Sequence, residues 1–248
     1  MRAKHLVGMK SSEGENVRWF VSMRGTGMAE TELPEEDPVV NAIGEHVTKY
    51  VGPVANVFQE RAWEGVQIDL LIVPPTAGRD FLTLVTCGMS ERPMRVPLEN
   101  PEDLGLVPQL RYAELLLCLP ADWPFSPEAF QDEENYWPVR WLKKIARLPH
   151  MAGGWLGLGH TVPNGDPPQP LAGNTGLAGW MVDQPLLFPA ELQKLRLPDR
   201  AINFYSVVPL YPEEMALKLK HGSGHLSKRL DDAKVTELLD VRRANTAR

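Results

Sequence analysis

The stretch Val66–Met94, VQIDLLIVPPTAGRDFLTLVTCGMSERPM, is the strongest constraint on what this chain can become. Gln67–Val73 is rich in branched apolar residues, and Pro74-Pro75 ends it. Thr76–Asp80 contains Gly78 and supplies a reversal, and Phe81–Thr86 returns with Thr83 and Val85 as good strand formers. Gly88, free to take a positive φ, then breaks the strand before Ser90. A hairpin this apolar on both strands belongs in the middle of a sheet, so the core is laid down here.

The flanking segments predict an α+β fold: a mixed, mainly antiparallel sheet with helices packed on it. Val17–Met23 reads as a first strand and Arg24–Gly27 as a loop. The acidic run Glu30–Asp37 leads into a helix in which Asp37 caps, Pro38 takes the first position, and Val39, Ile43, Val47 and Val51 recur every fourth residue. Negative charge suits a helix N-terminus, although the run could also serve as a docking surface. Tyr112–Leu119 has helical composition but strand length, and Pro120 closes it; a buried strand is the reading adopted, which leaves Glu114 in need of a partner. Tyr136–Arg147 predicts a helix with Trp137, Trp141, Leu142 and Ile145 on one core-facing stripe and Lys143, Lys144 and Arg147 as favourable cations near its end. Pro149–Asn174 reads as loop, Leu177–Val182 and Ala201–Val208 as strands, Pro212–Lys220 and Leu226–Leu230 as helices, and Arg242–Arg248 as a loose polar end. The expected core comprises Ile68, Leu70, Ile72, Leu82, Leu84, Leu115, Leu117, Phe204 and Val207, with Trp141, Leu142 and Ile145 packed onto it. The expected organisation is one domain over 54–232, with a strand and helix in 1–53 belonging to it and a tail at 233–248.

Charge narrows the function. The 248 residues carry 26 Lys and Arg against 32 Asp and Glu, a formal −6, which disfavours nucleic acid and points to a basic partner surface. No uninterrupted apolar run is long enough to span a bilayer, and no membrane association or secretory leader is expected. Cys87 and Cys118 lie in apolar strand contexts and read as buried free thiols of a cytoplasmic protein.

Catalytic patterns are weak. Gly154, Gly157 and Gly159 do not follow the spacing of a dinucleotide fingerprint, nor do they sit between strand and helix. His160 and Asp166 could approach each other, but a hydrolase would need Cys87 or Ser90 beside them, and Ser90 lacks the second glycine of a nucleophile elbow. His221 and His225 are four apart with Gly222 and Gly224 between them, and no Cys pair supports a metal; no cofactor or metal is expected.

Several blocks, in order, carry a resemblance. Thr83–Ser90 with Pro93-Met94, Glu114-Leu115 with Leu119–Trp123, Trp141–Lys143 with Ala146–His150, Gly159–Pro167, and Val208–Tyr211 with Glu213–Met215 resemble the Suppressor of fused (Sufu) domain. The resemblance implies a non-enzymatic, protein-binding regulator with the fold of the Sufu N-terminal domain. The animal Sufu protein regulates Hedgehog signalling and takes a peptide of GLI-type transcription factors as an added strand between two domains; this chain resembles the first of them. Single-domain relatives are typical of bacteria, where the family has been proposed to act as immunity proteins against secreted toxins of polymorphic toxin systems. The partner implied is thus a protein or peptide: a toxin domain, or an endogenous protein served by a regulatory adaptor. In the animal protein an acidic residue in the loop matching Gly159–Asp166 contacts the peptide, and Asp166 is its candidate equivalent. The residues themselves mark the same loop: Gly153–Pro168 is long, rich in Gly and Pro, and holds Trp155, His160, Asn164 and Asp166 where packing does not demand them. These four are the expected partner-binding residues, beside an exposed sheet edge.

Overall fold

The structure is a computed structural model that describes residues 8–10, 16–21, 37–60, 65–97 and 105–248, the first two segments and Glu60 as backbone only. The expected loop at Arg24–Gly27 and most of the acidic run lie outside these residues. The strands are β1 (Gly8–Lys10), β2 (Asn16–Val21), β3 (Asn56–Glu60), β4 (Asp69–Val73), β5 (Phe81–Cys87), β6 (Tyr112–Pro120), β7 (Thr161–Pro163), β8 (Gly179–Asp183), β9 (Lys194–Arg196) and β10 (Ala201–Leu210). The helices are α1 (Pro38–Tyr50), the single turn α2 (Val107–Leu110), α3 (Glu133–Ala152), α4 (Pro212–His221) and α5 (Ser223–Asp232). The fold is mixed α+β, and the described strands form one sheet in the order β1-β2-β3-β4-β5-β6-β10-β8-β7, with β9 pairing to the start of β10. Every pairing is antiparallel except β6 with β10. The β4–β5 hairpin lies at its centre, closed by reciprocal backbone bonds between Thr76 and Arg79.

Helices cover both faces, which explains why β6 is apolar on both sides from Leu115 to Leu119: its residues 113–119 are all buried. On one face Leu70, Ile72, Leu82, Leu84, Leu115, Leu117 and Val207 meet Trp137, Trp141, Leu142 and Ile145 of α3. On the other, Leu71, Val85, Leu116 and Phe204 pack under Ile43 and Val47 of α1, and Met181, Val208 and Leu210 pack under Met215, Leu226 and Leu230 of α4 and α5. Asp37 caps α1 by accepting the Val39 N–H at 2.8 Å.

Glu114 is fully buried, and its partners lie at the end of β5 and in the turn that follows it. The hydroxyls of Thr86 and Ser90 donate to it at 2.6 Å each, and the N–H groups of Gly88 and Ser90 at 3.1 and 3.0 Å. Thr86 also accepts the Leu115 N–H, extending the β5–β6 contact where the ladder stops at Val85 and Leu116. Gly88 has φ 127°, and a Cβ there would lie 2.1 Å from the Gln67 carbonyl oxygen. Burial pushes the Glu114 carboxyl up, and its four donors pull against that shift.

Three expectations need correction. The α3 helix is longer than Tyr136–Arg147, because Asp132 caps it by accepting the Glu134 N–H and Gly153, at φ 67°, closes it four residues past Pro149. Pro138 withdraws the bond that the Glu134 carbonyl would accept, and the Asn174 side chain supplies a donor there at 3.1 Å. Lys143 and Arg147 are consequently not helix-end cations at the surface: they are 1% and 4% exposed, with Lys143 Nζ 5.3 Å from the Phe58 ring centroid and close enough to Asp69 to favour that carboxylate. Finally, Arg242–Arg248 is not loose. The preceding residues flank β6, with Cys118 N–H donating to Glu237 C=O and Leu239 N–H to Cys118 C=O. Arg243 then makes a bidentate pair with buried Glu214 at 2.7 and 2.5 Å, and Thr246 donates twice to the same carboxylate. A polar sequence conceals this because the anchoring partner lies some thirty residues upstream.

Two outcomes are expected. Trp141→Ala, at a site 2% exposed, lowers stability by about 3–5 kcal/mol in urea denaturation; an unchanged midpoint would contradict the packing of α3. For Glu214, burial alone would raise the carboxyl, but Arg243 and the Thr246 and Tyr211 N–H groups outweigh it and hold it below the usual 4.5. A depressed carboxylate stabilises above its unfolded value and loses that contribution as pH falls through its folded one. Glu214→Gln therefore costs about 3–5 kcal/mol at neutral pH, and its gap to wild type narrows as the pH drops below 4.5; a gap independent of pH would contradict the clamp.

Candidate functional site

The segment expected to be loop contains the last strand of the sheet. β7 pairs with β8 alone, Val162 opposite Trp180. The bonds from Asn164 N–H to Ala178 C=O and from Val182 N–H to His160 C=O fix the phase of the ladder: the even-numbered residues bond to β8, and Thr161 and Pro163 turn their backbone polar groups outward. Pro163 has no N–H to offer, so the open edge consists of the Thr161 N–H and the two carbonyls. Neither backbone group of Thr161 has a partner across that edge among the described residues.

Two glycines of this segment, Gly157 and Gly159, have steric reasons to be glycine. A Cβ on Gly157 would lie 2.5 Å from the Trp155 ring, which folds across it. A Cβ on Gly159, at φ 77°, would lie 2.8 Å from Ser223, so the start of α5 presses against the entry to β7. Trp155 and His160 meet edge to face, ring centroids 4.4 Å apart, both half-buried. Lys218 reaches from α4 to the Thr161 hydroxyl, Nζ to Oγ1 3.4 Å. Burial lowers the His160 pKa below 6.5, and nearby Lys218 lowers it further, against a hydrogen bond to the Trp155 backbone that favours the proton.

The four expected residues divide into two groups. Trp155 and His160 form one platform at the β7 edge. Asn164 is spent inside the turn: its side-chain N–H groups donate to the carbonyls of Gln169 and Pro170 at 3.1 and 2.8 Å, while its own carbonyl accepts the Gln169 N–H. Asp166 is exposed on that turn, next to a cis bond to Pro167. Lys218 is the residue that sequence reasoning missed. Its place in the last turn of a helix gave it a sufficient role there, and no linear signal shows that α4 returns beside β7.

The hydrolytic candidates do not assemble. Ser90 donates its hydroxyl to Glu114, and burial, reinforced by Glu114, pushes the Cys87 thiol far up. Both line a cleft of about 400 Å³ with Asp37, Asp69, Glu91 and Arg200, to which His160 does not contribute. Cys87 and Cys118 are free and buried. His221 ends α4 and His225 lies in α5, ring centroids 5.1 Å apart. Among the described residues no three His, Cys, Asp or Glu side chains gather as metal ligands, and no helix is long and apolar enough to cross a membrane.

The chain is a mixed α+β domain with one sheet covered by helices on both faces, and comparison with known proteins places it in a family. The sequence matches the Suppressor of fused protein (SUFU) family over residues 64–244, and the chain belongs to that family. Three solved structures share its fold. A protein described as a SUFU homologue from Neisseria gonorrhoeae FA 1090 is 16% identical with TM-score 0.57, the match covering 84% of this chain and 96% of that one. A Sufu–Fu complex is 18% identical with TM-score 0.57, covering 84% and 92%. Drosophila Suppressor of Fused is 13% identical with TM-score 0.55, covering 84% of this chain and 50% of that one. No curated protein sequence matches it significantly.

The geometry has a direct consequence for His160. Replacing Lys218 by Gln removes a cation that opposes imidazole protonation, so the His160 pKa rises in Lys218→Gln, measured by NMR titration of the ring protons. An unchanged His160 titration would place Lys218 away from β7.

Proposed function

We propose that this protein is a non-catalytic binding module that holds a partner protein at the outer edge of β7, between the Trp155–His160 platform and the turn bearing Asp166. The observation that carries this reading is the outward-facing Thr161 backbone on a terminal strand of only three residues. Unpaired N–H and C=O groups accept an extended segment by strand addition, and flanking side chains choose which one. Trp155 offers a rigid, half-exposed apolar surface of the kind enriched at interfaces. Membership of the SUFU family supports the reading, as does the fact that one protein with this fold is seen in a complex, Sufu with Fu. The two buried free thiols suit a reducing, cytoplasmic setting.

The partner class follows from the family resemblance: a toxin domain neutralised by this chain as an immunity protein, or an endogenous protein it regulates. Capture from the source cell followed by mass spectrometry identifies which. Against that partner, Trp155→Ala and Asp166→Ala weaken binding while leaving the thermal midpoint within a few degrees of wild type. Folded variants that bind as tightly as the parent would place the site elsewhere.

A further inference from the structure

The charge at the β7 edge is opposite to the charge of the chain. The whole sequence carries −6, which suggested a basic partner. Yet Lys218 is half-buried beside Thr161 and His160, and among the described residues no carboxylate pairs with it. Lys220, His221 and His225 are exposed around the same α4–α5 corner. Lys220 and His221 have a sufficient role at the C-terminal end of a helix. Lys218 does not point only there: its ammonium crosses to the sheet edge, held by nothing stronger than a neutral hydroxyl at 3.4 Å.

We propose that the corner formed by Thr161, His160 and Lys218 seats the carboxylate of an acidic residue in an extended protein segment added to β7. This rests on the edge-binding reading above and names the chemistry of the partner. The added strand bonds to the Thr161 N–H and C=O. Its alternate side chains then fall over the face that carries Lys218, and one carboxylate there gains a charge-assisted hydrogen bond in a partly desolvated place. Trp155 and the half-exposed Leu158 offer apolar contact to the neighbouring position. A basic segment would instead meet an unpaired ammonium, which is a mark against it.

The test needs no known partner. A library of random nine-residue peptides displayed on phage is selected on the wild-type protein, and the enriched peptides are synthesised with ordinary and with N-methylated backbones. The expected result is an enrichment of Asp and Glu at one position and loss of binding on backbone N-methylation. Binding should also fall by about tenfold or more, either when that acid becomes its amide or in Lys218→Gln. Lys228→Gln, on the exposed face of α5 and paired to Asp232, should leave binding unchanged. Peptides that need their backbone N–H groups but show no acidic preference, or that ignore Lys218→Gln, overturn this inference and leave edge binding standing. No enriched peptides, or peptides indifferent to N-methylation, overturn both.

Discussion

The buried carboxylate of Glu114 is the constraint from which the rest of the sheet takes its register. It gathers four donors from Thr86, Gly88 and Ser90, and so fixes the end of β5 against the start of β6. Leaving a buried carboxylate without those donors would cost several kcal/mol, so the turn after β5 has little freedom to be anything else. Register then passes outward. Residues 112–116 of β6 pair with 202–206 of β10, residues 206–210 of β10 pair with β8, and β8 alone positions β7. A carboxylate in the core thus helps decide which backbone groups face solvent at the far edge. The C-terminal segment locks the same frame from behind, through Cys118 and through the Glu214–Arg243 pair.

Much of this was legible in the sequence, because local pattern and burial agreed. The hairpin, the capped α1, the strand at Tyr112–Leu119 and the stripe on α3 each carry their own signal: branched residues, a cap, a closing proline, a helical period. Even the need of Glu114 for a partner could be stated in advance. The features that escaped are those made by distant partners. Pro149 looked like a helix end, but α3 runs on to Ala152 even though Pro149 withdraws the N–H that the Ile145 carbonyl would accept. Lys143 looked like a helix-end cation, and the sheet beneath α3 buries it. Arg242–Arg248 looked loose, and its anchor is a glutamate on α4.

The candidate site divides along the same line. Trp155 and His160 stood out as residues that packing did not require, and they do come together. Asn164 stood out for the same reason but is consumed by its own turn. The strand itself, three residues long and ending in proline, is too short for periodicity to reveal. Lys218 was invisible because its partner lies fifty-seven residues away. An edge so short also shows how the fold limits unwanted pairing: it offers one complete backbone donor–acceptor pair, and specificity must come from the side chains around it.

β7 presents an open backbone edge, and hydrogen exchange of the Thr161 amide in the free protein tests this most directly. The Thr161 amide is expected to exchange quickly while the Val182 amide, bonded to His160, is strongly protected. Thr161 protected as well as Val182 would mean that something already covers the edge, and would contradict the account.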